Sequence, residues 1–293
     1  MPVFVLGLQR SGTTWVANML AGSGAVAAVA AAEHRGVHES IFFSHFARAF
    51  GSFDDPAARR RFQQAFAQSD YFLLTGLSEA FLDEIVSRAQ DYADVFAIVM
   101  EEVATRTNCD HWLEKSPHHT LLADELAARF PAAKFVCITR SSMTLIASRL
   151  AAYGRVPSRG MARSVDILRG ALVNALYTRF LEDVATRLKQ RAMLVRYDDL
   201  VADLPSHRRG LVAFLGLQVD PDLLESKFSA NTSHDRRDTR QMSSWDRALI
   251  RVGDWLGRVL PLSVLSKIEQ KRRKSRGIDW PDWVWMKSGY KPD

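Results

Sequence analysis

The chain has 293 residues, 47% hydrophobic and 25% charged, with 39 Lys+Arg against 33 Asp+Glu for a formal charge of +6. This is the composition of an ordinary globular chain, long enough for one large domain. Its two cysteines exclude a disulfide scaffold, and no apolar run approaches the ~18 residues of a membrane span. Cys137 lies in an apolar run and reads as a buried small hydrophobe. The N-terminus enters the first predicted strand at once, with no visible signal peptide, so a reducing, cytoplasmic location is expected.

The first predicted element is the apolar run 3–8, a strand that breaks at Gly7. The turn Gln9-Arg10-Ser11-Gly12-Thr13-Thr14 follows, then a helix over 13–21 with Trp15, Val16, Met19 and Leu20 on its apolar side. A strand that breaks at glycine and re-enters a helix aims free backbone N–H groups and the positive helix end at an anion. Gly7 and Gly12 keep the four-residue gap of a phosphate-cradling loop. Thr13 stands where that loop's lysine belongs, and the cation is instead Arg10. The loop is therefore expected to hold a phosphate without the usual ATPase lysine and magnesium.

Next comes Ala32-Glu33-His34-Arg35, with His38 and Glu39 close behind. Residues 40–108 hold no clear strand. Helices are predicted at 39–50, 55–68, 78–89 and 91–106, a helical insertion between the first and second sheet strands and a candidate lid on the acceptor side. A strand at 110–114 leads into Leu113-Glu114-Lys115-Ser116-Pro117-His118-His119-Thr120 and a helix at 118–129. The strand 134–139 (KFVCIT) ends at Arg140, and Ser148 lies within the helix predicted at 142–153. A long helix at 161–190, a strand at 192–197 reaching Tyr197, and helices at 205–215 and 245–259 complete the pattern. Strands alternating with longer amphipathic helices predict an α/β fold. Its parallel sheet should have four or five strands, in a phosphate-loop arrangement with helices on both faces. The chain ends in a basic run, 267–276, and an aromatic segment with Trp280, Trp283 and Trp285 that is expected to pack back onto the domain. The basic run reads first as a solvated helix face. An anionic membrane patch, a nucleic-acid patch or part of a donor site are its other readings.

RSGTTW, residues 10–15, resembles the 5′-phosphosulfate-binding loop of sulfotransferases that use 3′-phosphoadenosine-5′-phosphosulfate as donor. Arg140 at a strand end with Ser148 eight residues later resembles that family's 3′-phosphate motif, although Ser141, Ser142 and Thr144 replace its usual proline and aspartate. LEKSPHHT, residues 113–120, resembles the lysine–hydroxyl–proline element of the Golgi and bacterial branches. RYDDLVADLP and the following FLGL, within 196–217, match further family segments. Arg240-Gln241 before Trp245 faintly matches the loop that closes over the 3′-phosphate. The resemblance spans about residues 3–217 and leans towards the protein-tyrosine and carbohydrate branch.

The resemblance implies roles. Ser11, Gly12, Thr13 and Thr14 would hold the 5′-phosphate, Arg140 and Ser148 the 3′-phosphate, and Trp15 and Tyr197 would face the adenine. Arg10 and Lys115 would be the catalytic cations. Glu33, in a Glu-x-Arg context, would be the base, with His34, His38 and Glu39 as rivals in the same loop and His118 and His119 as candidates to line the acceptor side. No metal is required, because the sulfuryl group carries less charge than a phosphoryl group. The expected activity is metal-free transfer of a sulfuryl group to a hydroxyl or amine of a small molecule, glycan or peptide, with no nucleic-acid partner. Two competitors are a small-molecule or nucleoside kinase with an altered loop and a non-catalytic nucleotide-binding module. The kinase needs a magnesium-binding acid at a strand end, where this chain has Thr139-Arg140.

Overall fold

The computed structural model describes residues 1–32, 35–152, 160–226, 242–265, 267–268 and 278–291. Five parallel strands form the sheet: β1 (Pro2–Gly7), β2 (Val26–Ala27), β5 (His111–Glu114), β6 (Lys134–Thr139) and β7 (Ala192–Arg196), in the order β2-β5-β1-β6-β7. A separate antiparallel pair, β3 (Ala30–Ala31) with β4 (Gly36–Val37), lies between β2 and the long helical stretch. The chain leaves β1 towards one side of the sheet and later returns to build the other. The crevice at the carboxyl end of β1 is thus a topological switch point, the place where open α/β sheets bind ligands.

Successive side chains of each strand point to opposite faces of the sheet, and both faces are covered. Phe4 and Leu6 of β1, Trp112 of β5 and Phe135 and Cys137 of β6 face one core. Val3, Val5, Leu113, Val136, Ile138 and Val195 face the other. The second core is covered by α1 (Thr13–Gly22), through Val16, Met19 and Leu20, and by the 197–202 and 204–215 helices, through Leu200, Leu211 and Leu215. The first is filled mainly from residues 42–104. There α3 (Pro56–Ala67), α4 (Asp70–Thr75), α5 (Glu79–Arg88) and α6 (Tyr92–Arg106) bring Phe62, Phe66, Phe72 and Phe96 against Phe42, Phe46 and Trp112. Burial raises the Cys137 thiol to about 12, as befits an inert core residue.

The predicted strands recur within a residue or two, with differences where local signals are short. β2 has two residues in an alanine-rich stretch and shows no strand periodicity in the sequence; it places the helical insertion after the sheet's second strand rather than its first. The helix predicted over 39–50 is a π-turn at Phe42–Phe46 running into three α-helical residues, α2 (Ala47–Ala49). Ile41, just before it, sits at φ 45°, a costly conformation for a β-branched residue. After β5 come a 3-10 segment (Pro117–Leu122) and α7 (Ala123–Arg129); after β6 come α8 (Ser142–Ala152) and the long α9 (Gly160–Leu188). The helices at Tyr197–Ala202 and Leu204–Leu215 are α10 and α11, and α12 spans Ser244–Val259 against α9. The aromatic tail packs back as expected: Trp280 and Trp285 meet Phe46, and Trp285 Nε1 donates to the Ala65 carbonyl at 2.8 Å. No helix among the described residues is long and apolar enough to cross a membrane.

Candidate active site

The carboxyl edge of the sheet gathers the chemistry. Gly7 ends β1, Glu114 ends β5 with Lys115 directly after it, Arg140 follows β6 and Tyr197 follows β7. Each strand stops there because a turn residue, a proline or a helix start follows it.

The β1 loop is built around two left-handed residues, Arg10 at φ 75° and Gly12 at φ 104°. Gly12 cannot be replaced freely: a Cβ there would lie 2.1 Å from the Tyr197 ring, which is laid against the loop. From Gly12 the chain turns into α1, whose first-turn N–H groups have no side-chain cap. Ser11 and Thr13 are buried beneath the loop, and Ser11 Oγ has no hydrogen-bond partner among the described residues. Thr14 is half-exposed and accepts a bond from Lys115 Nζ at 3.2 Å. Thr120 pins the loop's origin. Its hydroxyl accepts from the Gly7 N–H and donates to the Gly7 carbonyl, both at 2.9 Å.

Arg140 and Tyr197 are brought level by the pairing of Thr139 with Arg196. The guanidinium lies over the Tyr197 ring, 4.4 Å from its centroid, and Trp15 meets the same ring edge-on at 5.7 Å. Arg140 Nη1 donates to the Arg10 carbonyl at 3.0 Å, and its Nε donates to Thr144 Oγ1 at 3.2 Å. Burial lowers the proton affinity of Arg140; Asp198 opposes that and Arg10 adds to it. The group stays charged at any ordinary pH, so it is a poorly hydrated cation that an anion would complement. Ser148 is brought to Arg10 rather than to Arg140, accepting from Arg10 Nη2 at 3.0 Å. Asp198, absent from the sequence reading as a site residue, ties the corner together: it accepts from the Ser141 N–H and from Thr144 Oγ1, both at 2.9 Å.

Lys115 is 2% exposed and donates to Glu39 Oε1 at 2.9 Å, so a buried ammonium is neutralised by a carboxylate that is 24% exposed. Beneath it, Glu114 is buried and fully satisfied. It accepts from Ser40 Oγ at 2.7 Å, from Ser116 Oγ at 2.5 Å and from His119 Nδ1 at 2.8 Å. The Phe43 N–H donates to His119 Nε2 at 3.1 Å, which leaves Nδ1 to face Glu114. Burial pushes the Glu114 carboxyl up, but His119, Ser116 and Ser40 outweigh it and hold the group below its ordinary value. His119 is thus an internal strut, while His118 lies 3.5 Å from Gln9 and against His45. Glu33 and His34 lie outside the described residues, as do Arg240 and Gln241. A carboxylate at the very end of a strand, one residue before a lysine, is the signal that marks Glu114 in the sequence.

The sequence profile described as the sulfotransferase family matches residues 2–221, about three quarters of the chain. The chain belongs to the sulfotransferase family. No curated protein matches it in sequence. Among solved structures it is similar to the sulfotransferase domain from the curacin biosynthetic pathway, at 17% identity and TM-score 0.51, with 96% of this chain and 99% of that one covered. It is also similar to a sulfotransferase from Alicyclobacillus acidocaldarius, at 13% identity and TM-score 0.49, over 96% and 97% of the two chains. The curacin-pathway domain, at this identity, supports the fold of the sulfotransferase and no more.

Proposed function

We propose that this sulfotransferase takes 3′-phosphoadenosine-5′-phosphosulfate as donor and sulfates a hydroxyl or amine of a small molecule, glycan or peptide. The observation that carries the reading is the convergence of Arg10, Lys115 and Arg140, from three separate segments, around one helix N-terminus. The residues fit a doubly phosphorylated nucleotide. The loop has uncapped N–H groups, a buried Ser11 hydroxyl awaiting a partner, and the Arg140 guanidinium bonded to the Arg10 carbonyl.

In this reading the N–H groups of Ser11 to Thr14 hold the 5′-phosphate. Arg140 and Ser148 hold the 3′-phosphate, and Tyr197 and Trp15 flank the adenine. The donor, when bound, supplies a sulfuryl group activated by its bond to phosphate. Arg10 and Lys115 neutralise the charge that grows on the leaving oxygen, which is how fixed cations accelerate such a transfer. Glu39 takes the acceptor's proton. Its 2.9 Å contact with Lys115 supports that role, since base and cation must flank one reacting centre. Glu33, to which the family resemblance points, is the rival carboxylate.

Calorimetric titration tests the donor. The bisphosphate 3′-phosphoadenosine-5′-phosphate should bind more tightly than AMP, since each charge-assisted bond lost from the 3′-phosphate costs about 1.5–3 kcal/mol. Equal affinities would remove the 3′-phosphate assignment, and preference for ATP with magnesium would favour a kinase. EDTA should leave the rate of sulfation unchanged.

A further inference from the structure

We propose that the outer face of α12, together with the first turns of α9, docks on an anionic lipid surface. α12 is amphipathic in an unusual sense. Its buried side, with Ile250, Gly253 and Gly257, is spent on α9, yet an apolar row also faces solvent. Trp245, Val252, Trp255 and Val259 are all exposed, the two indoles at 64% and 61%. Their spacing of seven, three and four residues puts them on one line along the helix. Trp245 Nε1 donates to Ser164 Oγ of α9, and beside Ser164 the exposed side chains of Met161 and Val165 extend the apolar area. Single exposed apolar residues are ordinary, but a contiguous stripe rich in tryptophan marks a surface that binds something.

Charge says what covers it. Arg247, Arg251 and Arg258 form a second exposed row on α12. Both acids of the helix point inward, Asp246 to Arg163 and Asp254 to Ser142. The exposed face is therefore apolar and cationic only. The sequence just beyond α12 adds Lys267, Lys271, Arg272, Arg273, Lys274 and Arg276 against a single acid, Glu269. A second copy of this face would set arginine against arginine. A nucleic acid would engage the arginines and leave Val252 and Val259 without a role. An anionic bilayer takes both rows at once, the tryptophans and valines at the acyl boundary and the arginines among the headgroups.

The test uses the full chain with vesicles of phosphatidylcholine alone or with about one third phosphatidylserine. The protein should co-sediment with the second and not the first, and its tryptophan emission should shift to the blue and be quenched by brominated acyl chains. Trp255→Ser combined with Val252→Ser and Val259→Ser should lower the partition at least about tenfold while leaving circular dichroism and thermal unfolding unchanged. Arg251→Glu with Arg258→Glu should do the same, and added salt should weaken wild-type binding. Failure of the wild type to sediment overturns the proposal, as does an apolar variant that partitions like wild type. So do absent quenching, a dimer in sedimentation velocity that the apolar variant dissolves, and binding to duplex DNA or RNA without binding to vesicles.

Discussion

Lys115 shows how a single residue can be poised by its neighbours. A buried ammonium is costly unless paired, and Glu39 and Thr14 supply the pairing in the folded protein. Lys115→Ala should lower turnover by about 10²–10³ with a smaller loss of nucleotide affinity, the scale of one charge-stabilising donor. Turnover assays beside calorimetry separate the two effects; unchanged turnover would make Lys115 structural. Glu39→Gln should keep nucleotide binding, lose about 10²–10⁴ in turnover and abolish the acid limb of the pH–rate profile. Glu33→Gln is made in parallel. If it is the inactive variant while Glu39→Gln retains turnover and the acid limb, the base moves to Glu33. Glu114 gives a stability prediction. Its folded pKa lies below the unfolded value of about 4.3, so its contribution is complete above that pH and disappears as the pH falls through the lower folded value. Glu114→Ala should cost about 3–5 kcal/mol at neutral pH and less in acid, because Ser40, Ser116 and His119 lose their common acceptor. Urea titrations at several pH values measure this. The placement of Arg10, Lys115 and Arg140 at the carboxyl edge of the sheet was legible in the sequence because each follows an apolar strand. Asp198 as a tie and Glu39 as a partner were not, since both pairings depend on chain closure over 54 and 76 residues.

At the scale of elements, α9 and α12 pack with their backbones close together at two glycines. A Cβ at Gly253 would lie 2.7 Å from the Ala171 side chain and the Leu168 carbonyl, and one at Gly257 would lie 2.5 Å from the Ala175 side chain. Gly257→Val should therefore destabilise the protein by about 1–3 kcal/mol through overpacking, seen as a lower Tm. A Tm equal to wild type would mean that the helices separate at no cost. Both glycines sit inside a helix that sequence patterning predicts well, but nothing in the pattern names the partner. Short elements were the other blind spot. The two residues of β2 pair with β5 because the sheet edge offers N–H and C=O groups, not because alanine and valine announce a strand. The long helices were legible from their period, and the strands 3–8, 134–139 and 192–197 as short continuous apolar runs, the pattern of parallel strands covered on both faces.

Over the whole molecule, the donor reading predicts a linkage. Saturating 3′-phosphoadenosine-5′-phosphate at one hundred times its dissociation constant should stabilise the fold by about 2.7 kcal/mol, with ATP giving less at equal concentration. Thermal shift measures it, and an unmoved melting point at such concentrations would disconnect the sheet edge from nucleotide. The carboxyl edge has two halves of different construction. Arg10, Arg140, Tyr197 and Asp198 are locked to one another through backbone and ring, whereas Glu39 arrives on a loop secured by Ser40 and Ile41 to the β5 end. Thr120 joins the halves, because the segment that carries it follows Lys115 while its hydroxyl grips Gly7. The spacing between Arg10 and Lys115 is accordingly a tolerance set by the sheet and one threonine. If the Glu39 loop meets the acceptor, as proposed, it can diverge without detuning that spacing, and substrate choice and transfer chemistry would be separately adjustable.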